Sequence, residues 1–320
     1  MIVGMKLASV LNPLSDHNLA LAAQTGVEEI VVRSPQPGLP SIAEMQTQVE
    51  SFGMKVGVVE GGLPIDRIKL GQDDGTQLAE VRDLIRMLGD LGIPIICYNF
   101  MAGTDWIRTS VDTKERGGAL VTAFDIARLA DAHIPGRDKY GEHGLEGGMT
   151  TDQLWINLER FLIETVSVAE EAGVTLAMHP DDPPVPSLLG NDRIMYDVAG
   201  FQRLVDLVPS PSNAIALCQG TFSEMGVDIP ATIRIFGSHI AYVHFRDVRG
   251  GPETFVETWQ DNGQTDMVEA MRAYREVGFD GPMRPDHVPI LAGEEGTPGY
   301  TMLGRLYAYG YIRGLIQATA

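Results

Sequence analysis

The sequence predicts an α/β protein built as a closed (β/α)₈ barrel, and three observations carry that prediction. Eight short runs rich in Val, Ile and Ala alternate with longer stretches of helical periodicity, the pattern of repeated strand and helix units around a parallel sheet. Several helical stretches end in a glycine just before the next run, at Gly53, Gly92, Gly173 and Gly278, where a helix C-terminus favours a left-handed residue. No GxGxxG string follows the first run, which disfavours an open sheet that binds a dinucleotide.

Taken in order, the first two runs are Lys6–Leu11 and Glu29–Arg33. Ser41-Ile-Ala-Glu44 then reads as a capping box, in which the serine hydroxyl and the glutamate carboxylate satisfy each other's backbone amides at a helix start. The third run is Lys55–Glu60. From Thr76 to Leu91 the residues Leu78, Val81, Leu84, Ile85 and Leu88 recur at three-to-four spacing and form one apolar helix face. Pro94–Asn99 is the fourth run, followed by Thr175–His179, Ala214–Cys218, Ile240–Phe245 and Pro282–Asp286.

One connection is abnormal. About fifty residues, Met101 to Thr150, separate the fourth run from a helix starting near Asp152, a length that marks either a functional segment or a disordered one. It holds Gly117-Gly118, Gly136, Gly141, Gly144 and Gly147-Gly148, and it leaves the C-terminal end of a strand, so a partial lid over the site (101–150) is expected. No repeat, low-complexity tract or linker divides the chain, and residues 1–320 are expected to form one domain.

Composition narrows the function classes. Hydrophobic residues make up 44% of the chain and charged residues 21%, enough to bury a sizeable core. With 43 acidic against 24 basic side chains the formal charge is −19, which repels phosphate backbones and anionic lipid. Neither nucleic acid nor membrane is therefore expected as a partner. The same field implies a cation in any pocket that takes an anion, unless the acidity serves solubility alone. Two cysteines, Cys97 and Cys218, are too few and too far apart for a disulfide framework. Without a signal-like N-terminus or a spanning apolar run, a cytoplasmic location is expected.

Chemistry is concentrated where apolar strands end in a polar residue, because a barrel strand delivers its last residue to the catalytic rim. Thr175-Leu-Ala-Met-His179 ends in His179, Ala214-Ile-Ala-Leu-Cys218 in Cys218, Ala241-Tyr-Val-His244 in His244 and Met283-Arg-Pro-Asp286 in Asp286. Singly, each has a bland reading: a hydrogen-bonded core histidine, a packed thiol, a helix cap. Four consecutive strand ends together suit a divalent first-row metal. The thiolate argues for zinc and the carboxylate with open positions for manganese, and the set also admits Fe²⁺ or Co²⁺. Cys97, inside Ile95-Ile-Cys-Tyr98, reads as core.

Around these ends lie candidates for substrate binding: Glu60, Asn99, Trp106, Arg108, Arg246 and Arg284. Arginine suits bidentate carboxylate recognition. The alternative for Arg246 and Arg284 is an ion pair with a neighbour such as Asp247. His287 stands next to Asp286 and is either an acid/base group or a residue that orients Asp286. His17, His133, His143 and His239 read as surface or structural.

With those residues in place, the chain resembles the mannonate dehydratase family, a xylose-isomerase-like branch of the TIM barrels. The matching strings are Cys97-Tyr-Asn-Phe-Met101 with Asp105-Trp-Ile-Arg-Thr109, His179-Pro-Asp-Asp-Pro-Pro184, Cys218-Gln-Gly220, His244-Phe-Arg-Asp-Val248, Gly263 with Asp266-Met267, Arg284-Pro-Asp-His287, and Pro298-Gly-Tyr300 with Gly304-Arg305. The resemblance implies His179, Cys218, His244 and Asp286 as ligands of manganese, and acid/base roles for His287 and Tyr300. It also implies dehydration of D-mannonate to 2-dehydro-3-deoxy-D-gluconate, and a homo-oligomer is expected.

The chain departs from the family at three rim segments, which bear on the exact sugar acid. Ser9-Val-Leu-Asn-Pro13 stands for an Arg-Trp-aromatic-Gly stretch, Pro64-Ile-Asp-Arg67 before Ile68-Lys69 for a segment with histidine, and Thr221-Phe222 for a Ser after Gly220. The competing readings are a metal-dependent sugar isomerase or epimerase on the same barrel, and an inactive barrel that binds a sugar acid.

Overall fold

Strands of near-continuous apolar sequence can bury both faces by closing into a barrel under a coat of helices, and the eight expected runs do this. The computed structural model describes residues 4–34, 40–132 and 148–320. In chain order the strands are β1 (Lys6–Val10), β2 (Glu29–Val32), β3 (Lys55–Glu60), β4 (Ile95–Tyr98), β5 (Ser110–Lys114), β6 (Leu120–Asp125), β7 (Thr175–Met178), β8 (Ser187–Leu188), β9 (Asn191–Asp192), β10 (Asn213–Cys218), β11 (Ile240–His244), β12 (Val248–Gly251), β13 (Thr254–Glu257) and β14 (Pro282–Arg284). Eight of them form a closed barrel in the order β1-β14-β11-β10-β7-β4-β3-β2, all parallel.

Alternation along each strand builds two cores. Ala8, Val10, Val31, Val58, Ile95, Ala177, Ala216 and Tyr242 pack together in the barrel interior, while Ile30, Ile96, Leu176, Ile215 and Val243 join the helices in the larger outer core. The helix at Ile42–Glu50 starts with the expected capping box of Ser41 and Glu44. All five apolar residues expected in the helix Thr76–Leu91 are buried. The next long helix, Thr151–Ala172, opens with a second box formed by Thr150 and Gln153. Gly92 and Gly173 close these two helices at φ 70° and 67°, a region that any Cβ would strain.

The long connection after β4 is not an open loop. Its β5 and β6 form a hairpin about Arg116–Gly118, and β6 pairs with β13, which pairs with β12, giving a four-stranded antiparallel sheet beside the rim. Ile107, Phe124, Val185, Leu188, Val248 and Phe255 make a third core beneath it. This sheet was illegible locally because half of it comes from the excursion after β11. Met101, Thr104, Asp105 and Trp106 line the cavity at the barrel mouth. Residues 133–147, with His133, His143 and Gly136 to Gly147, lie outside the described residues, so the rest of the expected lid does too. Among the described residues no helix is long and apolar enough to cross a membrane.

Candidate metal centre and active site

Parallel closure puts every strand C-terminus on one rim, and register places the four expected ligand positions side by side. Cys218 pairs with His244, and His244 with Arg284, two residues before Asp286. His179 follows β7 directly. His179 Nε2 stands 3.2 Å from His244 Nδ1, and Asp286 Oδ2 lies 3.7 Å from His244 Nδ1 and 3.8 Å from Cys218 Sγ. The His179, Cys218 and His244 donor atoms all fall within 4.8 Å of one another. Edges of this length surround a point reachable by bonds of about 2.0–2.3 Å, the range for nitrogen, oxygen and sulfur on a first-row ion.

The tautomers agree with that fit. His179 Nδ1 lies 2.8 Å from the Pro180 carbonyl, which can only accept, so Nδ1 carries the hydrogen and Nε2 presents its lone pair. His244 Nε2 lies 3.3 Å from Glu60 Oε2, which turns Nδ1 toward the donor set. Burial opposes the charge on Asp286, but His287, Arg284, His244 and Arg246 outweigh it and hold the carboxyl well below its usual range. An ionised carboxylate is the form a metal needs. Cys97 forms a second trio with Glu60 and His244. Burial pushes its thiol well up, and Glu60 is committed to Arg284 (2.7 Å) and to the Tyr242 hydroxyl (2.8 Å), so Cys97 belongs to the core.

Glu60, Asn99, Trp106, Arg284, His287 and Tyr300 line the cavity beside His179, His244 and Asp286. The His287 ring packs against Trp106 at 5.2 Å and Tyr300 at 5.4 Å, centroid to centroid. Burial pushes the Tyr300 hydroxyl up to about 12. Arg284 reaches the cavity but also holds Asp286 Oδ1 at 2.8 Å.

Two expected substrate arginines are placed elsewhere. Arg108 is fully enclosed, bidentate on Asp182 at 2.6 and 2.9 Å and 2.6 Å from Glu257 Oε1. Arg246 is equally buried among Asp182 (3.0 Å), Glu224 (3.1 Å), Glu257 (2.9 Å) and Asp286 (2.9 Å). Neither lines the cavity. The expected partner Asp247 instead accepts from the Val248 and Thr265 amides, at 2.9 and 2.6 Å. The reason is electrostatic: four carboxylates under the rim could not share so small a volume without buried cations between them, and a guanidinium offers enough donors to serve several at once. Burial and the neighbouring Asp182 push the Glu224 carboxyl well above its usual range, which lightens the same load.

Arg108→Ala is therefore expected to destabilise the fold by about 3–5 kcal/mol, because it leaves Asp182 and Glu257 buried and under-compensated. Denaturant unfolding measures this. Unchanged stability with a raised KM would return Arg108 to the substrate.

Sequence reasoning missed three residues that the fold brings to the site. Asp182 was visible in the His179-Pro-Asp-Asp string, yet only the tertiary structure shows it bridging Arg108 and Arg246. Glu257 ends a strand that carried no motif. Lys69, in the short helix Asp66–Lys69, is buried at the cavity wall with its ammonium 2.9 Å from Asn99 Oδ1.

Comparisons with known proteins point to one family. The model of the family described as D-mannonate dehydratase (UxuA) matches residues 15–320. Mannonate dehydratase 2 of Halalkalibacterium halodurans is 33% identical over 300 residues, covering 87% of this chain and 87% of that protein. The crystal structure of mannonate dehydratase from Streptococcus suis serotype 2 superposes with a TM-score of 0.89 at 28% identity, over 98% of this chain and 95% of that one. A xylose isomerase domain protein from Planctomyces limnophilus superposes with a TM-score of 0.62 at 12% identity, over 99% of this chain and 97% of that one, a likeness of fold alone. Mannonate dehydratases are in general metal-dependent, and a trio of metal-type donors, the half-buried His179 with the buried Cys218 and His244, stands at the rim here. This chain belongs to the D-mannonate dehydratase family.

Proposed function

We propose that this protein is a hydro-lyase that removes water from D-mannonate to give 2-dehydro-3-deoxy-D-gluconate. The observation that carries the reading is one cavity in which the donors His179, His244 and Asp286 meet the His287 and Tyr300 pair, with Cys218 buried directly behind them.

A hydrogen on the carbon next to a carboxylate is very weakly acidic, and a hydroxyl is a poor leaving group. Elimination therefore needs a base at C2, an acid at the 3-hydroxyl and positive charge near the carboxylate. A divalent ion held by His179, Cys218, His244 and Asp286 would supply that charge, and manganese suits a carboxylate-bearing site open to hydroxy-acid oxygens. Tyr300 keeps its proton at neutral pH, so it is the group to donate to the departing hydroxyl. His287 is then the group to take the C2 proton. With Arg108 and Arg246 enclosed, the charge and hydroxyls of the substrate meet Arg284, Lys69, Asn99, Glu60 and Trp106 at the cavity wall.

The test is incubation with D-mannonate and Mn²⁺. A 2-keto-3-deoxy acid, detected by thiobarbiturate and lighter than the substrate by one water, is the expected product. A sugar-acid isomer of unchanged mass would mean an epimerase, and binding without turnover across a panel of acids a non-catalytic barrel.

A further inference from the structure

We infer that Glu257 is a positioning residue for His287, fixing the imidazole with its hydrogen on Nδ1 and its lone pair on Nε2. The inference rests on His287 being the acid/base group proposed above.

Glu257 Oε1 lies 2.8 Å from His287 Nδ1. Burial opposes charge on this carboxyl, but the Arg246 and Arg108 guanidiniums against Oε1 hold it well below the usual range, so the oxygen is an acceptor. The hydrogen between the two groups therefore belongs to the ring, and Nε2 is left as its basic atom. Trp106 and Tyr300 also pack against the ring, at 5.2 and 5.4 Å between centroids, and the carboxylate sets the tautomer.

The carboxylate is itself held still. Its Oε1 also takes Arg108 Nη2 at 2.6 Å and Arg246 Nη1 at 2.9 Å. Glu257 ends β13, where it pairs in register with Val248 of β12. Arg108 comes from the excursion after β4 and Glu257 from the one after β11, so the antiparallel sheet that joins them has a function. Two insertions in the barrel meet to orient a side chain that follows the last barrel strand. Carboxylates that receive an imidazole N–H in this way hold both tautomer and orientation in metal and hydrolytic sites.

Glu257 Oε2 is buried without a hydrogen-bond partner among the described residues. A glutamine can thus keep the acceptor oxygen at the Oε1 position and place its amide nitrogen where no partner is displaced. Glu257→Gln should retain the tautomer, and Glu257→Ala should not.

The experiment is long-range proton–nitrogen spectroscopy of enzyme labelled at histidine with nitrogen-15, loaded with diamagnetic Zn²⁺ at mildly alkaline pH, together with kinetics on D-mannonate in Mn²⁺. Wild-type enzyme is expected to show His287 hydrogenated on Nδ1. Glu257→Ala is expected to admit the other tautomer and to lower kcat about 100-fold, with KM and metal content near wild type. Glu257→Gln is expected to keep the wild-type tautomer and lose less than about tenfold in kcat. A wild-type His287 hydrogenated on Nε2, or a Glu257→Ala enzyme with undiminished kcat, overturns the inference. Should Glu257→Ala fail to fold, the wild-type and Glu257→Gln spectra decide it. Absence of wild-type turnover of D-mannonate would overturn the proposed function instead, and the spectra would still report on Glu257.

Discussion

Replacing His244 with alanine is expected to remove the bound divalent ion and turnover together. The imidazole is buried at the end of β11, with Nδ1 3.2 Å from His179 Nε2 and 3.7 Å from Asp286 Oδ2, at the middle of the proposed ligand set. Alanine leaves His179, Cys218 and Asp286 around a void that water fills poorly as a donor. A metal contributes several kcal/mol of charge stabilisation, so its loss should lower kcat by roughly four powers of ten. Elemental analysis of protein freed of chelator, alongside steady-state kinetics, measures both. Wild-type metal content in the variant would move the ion away from these strand ends and take the mechanism with it.

His287→Ala is expected to separate what His244→Ala removes at once. His287 Nε2 lies 3.9 Å from Asp286 Oδ1, too long for a hydrogen bond, whereas Arg284 holds that oxygen at 2.8 Å and Arg246 lies 2.9 Å from the other. Asp286 should thus keep its place without the imidazole. The metal content should stay near wild type while kcat falls by about 10²- to 10⁴-fold, the usual worth of a positioned acid/base group. Metal lost along with activity would show instead that His287 serves to orient Asp286.

The parts of the site that could be seen in the sequence share one property: they are encoded by short-range pattern. Ala214-Ile-Ala-Leu-Cys218 is an apolar run with one polar end, and a strand of that kind inside a barrel can only deliver its last residue to the rim. His244 also ends its strand, and His179 and Asp286 follow theirs by one and two residues. Arg108 and Arg246 did not yield to it, because an arginine beside a strand end reads the same in sequence whether it faces substrate or a buried carboxylate. Only the distances to Asp182 and Glu257 distinguish the two. Lys69 and Glu257 left no local signal, since each is made relevant by partners on distant segments, Asn99 for the first and His287 for the second.

The amino-acid sequence by itself determined the barrel, the helix caps, the apolar faces and the polar strand ends, because each depends on residues a few positions apart whose periodicity and backbone preferences are intrinsic. The tertiary structure alone decided which charged groups neutralise one another beneath the rim, how the excursions after β4 and β11 combine into one sheet, and which nitrogen of His287 meets the Glu257 carboxylate. Those outcomes come from through-space electrostatics and pairing between segments far apart in the chain, and no local pattern encodes them.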